Sequence, residues 1–83
     1  MNNQRRKKLK NIMVVIESIS SRLSDCIDDL NLVLYDEEEA FDNMPENLKY
    51  SERGERSQEA ISVLEDSIEN LEGVISNLDD IVL

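Results

Sequence analysis

The side chains of this chain that could do chemistry are carboxylates, and they gather on either side of its single proline. Glu38, Asp42 and Glu55 would stand at helical spacing on two facing helices, where carboxylate oxygens can hold Mg²⁺. A magnesium-dependent enzyme also needs a deep pocket and cations that bind the substrate's phosphates. A run of charge on a long helix is more typical of a solvated face. We therefore predict that the protein is not an enzyme and that it holds no metal or cofactor.

Histidine is absent and Cys26 is the single cysteine, so the chain lacks the commonest general base and the commonest zinc ligand. One cysteine cannot form an intramolecular disulfide. Cys26 falls on an apolar stripe, which predicts a small core side chain; the alternative is a thiol that faces its symmetry mate in a dimer. A lone cysteine without an export signal indicates a reducing cytoplasm. The apolar run of residues 12–16 is too short for a signal peptide or a membrane span.

The basic residues form a second candidate site. Net charge is −10, from 19 acidic and 9 basic residues, and most of the basic ones lie in Arg5–Lys10. A candidate anion-binding arm therefore comprises Arg5, Arg6, Lys7 and Lys8. No aromatic side chain interleaves these cations to stack on bases, so nucleic acid is not an expected partner. The alternative is that the arm neutralises Asp79, Asp80 and the negative end of the last helix.

Two apolar ladders predict the helices that position these groups. Their steps of three and four residues place each ladder on one stripe of an α-helix and do not suit a strand. The first ladder is Leu9, Ile12, Ile16, Ile19, Leu23, Cys26, Leu30 and Val33, and the second is Ile61, Leu64, Ile68, Leu71, Ile75, Leu78 and Val82. A short corner joins them, so we predict an all-α fold built as a long antiparallel hairpin, with Leu9 near Val82 and Leu30 near Ile61.

The chain is short enough for one domain over residues 1–83. Proline disfavours helix in the residue before it and can itself open a helical turn, so Pro45 divides the two helices. Ser51 is a candidate N-cap for the second helix. The predicted segments are a flexible basic arm over 1–6, a first helix over 7–43, a connection with a short helical turn over 44–50 and a second helix over 51–82.

The stripe of the first helix is wider than one partner helix requires, because positions beside the ladder are also apolar. A lone hairpin would leave these side chains in water. We therefore predict that two hairpins pair into a four-helix bundle, in a homodimer or a higher oligomer. The predicted oligomer interface comprises Met13, Ile16, Ile27, Leu30, Leu34, Phe41, Val74 and Ile81.

The closed end of the hairpin carries the most distinctive charge pattern. A candidate recognition tip comprises Glu37, Glu38, Asp42, Arg53 and Arg56. The alternative is a capped end in which the two arginines pair with the glutamates and Gly54 leaves room opposite Glu37. In that alternative an apolar plug is formed by Phe41, Met44, Leu48 and Tyr50.

The corner also resembles a group of small acidic helical proteins carried by phages and prophages of Gram-positive bacteria. The resemblance covers about a third of the chain, in residues 37–48, in Ser51-Glu52-Arg53-Gly54-Glu55 and in Ala60-Ile61. It implies a small phage accessory protein in the cytoplasm of an infected or lysogenic host. Such proteins often bind host or defence components, and the resemblance supplies no site residues.

Three functions remain open from the sequence. The first is a non-enzymatic protein that binds a host or defence protein through acidic helical surfaces, as an inhibitor or a DNA mimic. The second is an oligomeric sponge that sequesters an anionic nucleotide signal between subunits, through Arg5, Arg6, Lys7, Arg53 or Arg56. The third is a passive scaffold for other phage proteins. No membrane partner is expected in any of them.

Overall fold

The structure, a computed structural model, describes residues 1–81. Helix α1 runs over Asn3–Asp42, α2 over Glu46–Lys49 and α3 over Glu52–Asp79, and there is no strand in this part of the chain. The two long helices lie side by side in a hairpin that measures 65 × 18 × 14 Å. The predicted all-helical hairpin with a short helical turn at its corner is therefore confirmed. The expected contact of Leu9 with Val82 lies outside the described residues.

The basic arm is helical, which corrects the prediction of a flexible segment over residues 1–6. α1 begins at Asn3 and is capped by Asn2, whose side-chain oxygen accepts a hydrogen bond from the Arg5 N–H at 2.8 Å. Arginine and lysine are good helix formers, so the helix continues through them. Residues 1–8 are exposed, because α3 ends at Asp79 and does not reach this part of α1.

The stripe of α1 that faces α3 is only half the predicted one, and Cys26 is not part of it. Four predicted members, Ile12, Ile19, Cys26 and Val33, are exposed. The half-buried or buried positions on the stripe that faces α3 are Leu9, Met13, Ile16, Ser20, Leu23, Ile27, Leu30, Leu34, Glu37 and Phe41. Glu38, beside this stripe, is also half-buried. Both stripes have the same heptad period and differ in which flank joins the contact. The flank used brings in Leu34 and Phe41, whose larger side chains fill more of the gap between the helices.

The stripe of α3 agrees with its prediction over the described residues. The apolar positions turned towards α1 are Ile61, Leu64, Ile68, Leu71, Ile75 and Leu78. In this part of the chain the most enclosed apolar side chains are Ile27 on α1 and Ile68 on α3, which are 7% and 6% exposed. The core of one hairpin is therefore a single thin seam, as expected for a domain of this size.

The seam also corrects the residues assigned to the oligomer interface. Six of them are turned towards α3 inside one hairpin: Met13, Ile16, Ile27, Leu30, Leu34 and Phe41. Of the other two, Val74 is exposed and Ile81 is half-buried. Because these side chains already fill the seam, a contact between hairpins would use other surfaces.

Within residues 1–81, neither long helix has a stretch that is both long and apolar enough to cross a membrane.

Candidate functional site

The closed end is built by a turn of helix between the two long helices. α1 ends at Asp42, and Pro45 precedes α2. The Pro45 carbonyl oxygen accepts hydrogen bonds from the Leu48 and Lys49 N–H groups at 2.9 and 3.1 Å. Ser51 precedes α3, as predicted, but its side chain caps no α3 N–H. The Ser51 hydroxyl instead donates to the Leu48 carbonyl oxygen at 2.5 Å. Local hydrogen bonds therefore fix the corner at both ends of α2.

Gly54 is where the corner packs against α3. It is buried in the first turn of that helix. A Cβ atom there would overlap the carbonyl oxygen of Lys49 and lie 2.6 Å from that of Leu48. Backbone atoms of α2 thus occupy the space that the missing side chain leaves. The sequence placed Gly54 opposite Glu37, and the structure places it under α2 instead.

Glu37 and Ser57 join the two long helices. Ser57 is 7% exposed, and its hydroxyl donates to Glu37 Oε1 at 2.6 Å. A hydrogen bond to a charged group contributes about 1.5–3 kcal/mol, and leaving such a group without its donor is costly when it is partly buried. The structure therefore gives Glu37, predicted as a recognition residue, a bond within the hairpin. The position of Glu37 on the stripe that faces α3 indicates a contact with that helix. The sequence did not identify Ser57 as its partner.

The two arginines of the tip do not pair with α1. Arg56 Nη2 lies 2.5 Å from Glu52 Oε1 in its own helix, and both side chains are about three-quarters exposed. The other ion pair in residues 1–81 joins Lys49 to Glu46 at 3.8 Å within α2. Exposed pairs of this kind contribute at most about 1 kcal/mol. The expected ion pairs between the arginines and the α1 glutamates are absent from this part of the chain.

The apolar plug at the corner is smaller than predicted. Phe41, Met44 and Leu48 are half-buried, whereas Tyr50 is 82% exposed. The Lys49 ammonium group lies 5.6 Å from the centre of the Phe41 ring, within the range of a cation–π contact. Tyr50 therefore points to solvent, and the Lys49 ammonium group lies over the Phe41 ring instead.

Two open grooves flank the closed end, and they divide the predicted tip between them. The first, of about 420 Å³, is lined by Glu37, Ala40, Met44, Pro45, Leu48, Arg53, Arg56 and Ser57. The second, of about 460 Å³, is lined by Glu38, Phe41, Asp42, Gln58, Ile61, Ser62 and Glu65. The grooves share no residue, because they lie on opposite sides of the contact between α1 and α3. Both arginines open on one side, and Glu38 and Asp42 open on the other.

The second groove opens onto a row of carboxylates along α3. Glu69 and Glu72 follow Glu65 at steps of four and three residues, so all three lie on one side of the helix. At 1.5 Å per residue they succeed one another about every 4.5–6 Å. We call the exposed or half-buried set of Glu38, Asp42, Glu65, Glu69 and Glu72 the acidic face. Its negative charge is spread along the hairpin rather than concentrated in a pocket.

The acids do not converge on a point. In residues 1–81 no three of the His, Cys, Asp and Glu side chains are close enough together to hold a metal ion. Glu38 and Asp42 line the second groove, whereas Glu55 does not. The geometry of the acidic face suits several separate cations on the surface of a partner.

The basic arm lies at the opposite end of the hairpin from the tip. Arg5, Arg6, Lys7 and Lys8 are exposed on the part of α1 that extends past α3. Within residues 1–81 no ion pair joins them to Asp79 or Asp80, so the expected neutralisation does not occur through direct contacts. Because the hairpin is 65 Å long, one copy does not gather the arm and the tip arginines into one site. No family model, curated protein or solved structure matches this chain, so its function is argued from its own residues.

Proposed function

We propose that this protein is a phage-type accessory protein without enzymatic activity, which self-associates and occupies a basic groove on a host or defence protein. The observation that carries the proposal is the separation of charge on the hairpin. From Ser57 onwards the sequence has seven acidic residues and no lysine or arginine. The acidic face lies in this segment and on the adjoining end of α1, on the side away from the tip arginines.

A face of this shape can form a stable interface. The hairpin is 65 Å long and 18 Å wide, whereas a standard interface buries about 800 Å² on each partner. A single-sign row of charge accelerates association with a complementary surface and disfavours partners of the same sign. Closely spaced carboxylates on a straight rod also resemble the phosphates of a nucleic acid backbone. The partner we propose is therefore a protein whose basic groove binds nucleic acid.

Neutralising the row on α3 is expected to abolish binding to this partner. The test variant is Glu65→Gln with Glu69→Gln. Its matched control is Glu59→Gln with Asp66→Asn, which removes the same charge from α3 at positions outside the groove of the acidic face. Each protein is immobilised, exposed to lysate of the bacterial host at low salt, and washed. Loss of two charge contacts should weaken capture at least tenfold, or about 1.4 kcal/mol, in the test variant alone.

The captured protein must also leave the column when salt is raised or duplex DNA is added, because both compete for a basic groove. Equal capture by the test and control variants would rule out the acidic face as the binding surface. Failure of the unaltered protein to retain any partner at low salt would contradict the proposed function as a whole.

A further inference from the structure

One side of the hairpin presents an exposed apolar surface that the seam does not use. Ile19, Val33 and Val63 are 46%, 54% and 58% exposed. We call this surface the apolar face; it comprises Ile12, Val15, Ile19, Cys26 and Val33 on α1 and Ala60, Val63 and Val74 on α3. A patch of this extent on a small protein marks an interaction site.

The α1 and α3 parts of this surface lie on the same side of the hairpin. Ala40 stands one heptad after Val33 on α1, and Arg56 stands one heptad before Val63 on α3, so each extends its row to the closed end. Ala40 and Arg56 line the same groove, which places both rows on one side. The acidic face lines the other groove. The apolar face and the acidic face therefore lie on opposite sides of the hairpin.

We propose that a second copy of this chain covers the apolar face, related by a two-fold axis perpendicular to the helices. In this arrangement α1 packs antiparallel on α1 of the second copy, and α3 packs antiparallel on α3. The inference rests on the self-association in the proposed function, and it specifies the surface, the direction and the register of that contact.

The charges at the two ends of α1 determine the direction. Arg5–Lys8 is basic and Asp36–Glu39 is acidic. If Ile12 lies opposite Val33 of the second copy, and Ile19 opposite its Cys26, the apolar rows superpose over their whole length. The same antiparallel register places Arg5–Lys8 at the level of Asp36–Glu39 of the second copy, at both ends of the dimer. Of these acids, Asp36 lies on the apolar side, one heptad after Asp29. In a parallel arrangement each charged segment would lie beside the same segment of the second copy. The like charges would then repel each other.

The exposed apolar residues of α3 lie on both sides of the same axis. The α1 row is symmetric about a point between Arg22 and Leu23. Counted from the Glu37–Ser57 hydrogen bond, that point lies at the level of residues 71–72 of α3. Val63 and Val74 therefore stand on opposite sides of the axis, and Val63 is not placed opposite Val74 of the second copy. The direction and register of the contact follow from α1.

The charged residues in the middle of the surface are compatible with this contact. Arg22 and Asp29 follow Val15 at heptad steps, on the edge of the apolar face away from α3. Both are exposed in one hairpin. In this register Arg22 lies beside Arg22 of the second copy at the two-fold axis, so the two guanidinium groups must extend to solvent at the edge of the contact. The acidic faces of the two copies point outwards on opposite sides, so the dimer presents two of them to a partner.

Disulfide formation at Ile19 tests the register. Unaltered protein carries Cys26 only, and the two copies of Cys26 would be about 10 Å apart along the helices, beyond the roughly 4.4–6.8 Å between Cα atoms of a disulfide. Ile19→Cys places a thiol opposite Cys26 of the second copy. We expect this variant to form a covalent dimer under mild oxidation at least tenfold faster than unaltered protein, as measured by non-reducing electrophoresis.

Val63→Cys is the matched control, since it adds one thiol to the same surface but opposite no thiol of the second copy, and it should behave like unaltered protein. Rapid cross-linking of unaltered protein would place the two copies of Cys26 together, in a parallel contact or in another antiparallel register, and would overturn the proposal. Rapid cross-linking of Val63→Cys would show α1 packed on α3 of the second copy and would also overturn it. A dimeric mass with no cross-linking of Ile19→Cys would overturn the register alone, and a monomeric mass would refute self-association. The cross-linking and mass measurements are independent of the capture experiment for the acidic face.

Discussion

Gly54→Ala is expected to lower the free energy of unfolding by about 3 kcal/mol, the upper end of the usual range for overpacking. The added methyl group would overlap the Lys49 carbonyl oxygen. Because the obstructing atoms belong to the backbone of α2 and not to a flexible side chain, the whole turn must move to admit it. That movement would also strain the hydrogen bonds that Pro45 and Leu48 accept at the corner.

Gly73→Ala is the matched control. A Cβ atom at Gly73 meets no atom within 4 Å. Alanine is favoured over glycine in an exposed helix by roughly 0.8–1 kcal/mol, so this variant should be more stable than the unaltered protein. Urea unfolding followed by circular dichroism measures both at one fixed protein concentration, since self-association makes stability depend on concentration. Similar shifts for the two alanines would contradict the packing of α2 on Gly54.

Ile27→Ala is expected to destabilise the hairpin by about 2–4 kcal/mol, because it leaves a cavity in the thin seam between α1 and α3. Ile27 is 7% exposed, whereas its neighbour Cys26 is exposed. Cys26→Ala should therefore cost about 1 kcal/mol or less, even where a second copy covers the thiol. Thermal or urea unfolding of the two variants compares adjacent positions of one helix. The reverse order would restore the arrangement expected from the sequence, with Cys26 in the seam and Ile27 at the contact between hairpins.

The period of the apolar positions predicted the helices well, because a spacing of three and four residues admits one secondary structure. It did not predict which side of α1 meets α3. Both flanks of the stripe are apolar, and turning the helix from one flank to the other exchanges Ile12, Ile19 and Val33 for Met13, Leu34 and Phe41 without changing the period. The choice depends on how side chains of different size fill the gap, which spacing alone does not express.

The same rotation explains the errors at the tip. The sequence grouped Glu38 and Asp42 with Arg53 and Arg56, because all four lie near the corner. In the structure they open on opposite sides of the hairpin. The hydrogen bond between Glu37 and Ser57 was likewise missed, since nothing local marks a serine as the partner of a distant carboxylate. The charge row on α3 was visible in the sequence, because it depends on one helix only.

The wide apolar stripe of α1, which suggested an oligomer, is divided between two surfaces. One flank fills the seam within the hairpin, and the other is the exposed apolar face. The self-association predicted from the sequence is thus kept as a proposal, with different residues at the contact. A second copy on the apolar face leaves the acidic face free for a partner.

If this hairpin is one half of a dimer, the mass of the protein in solution must be that of two chains. Light scattering after size exclusion should give twice the 9.6 kDa of the chain. The variant Ile19→Asp, which puts a charge in the apolar face, should elute with the mass of one chain. Val14→Asp should remain a dimer, because Val14 belongs to the row that ends at Asp42 on the acidic side. A mass of 9.6 kDa for the unaltered protein at all concentrations up to those of the unfolding experiments would contradict the account.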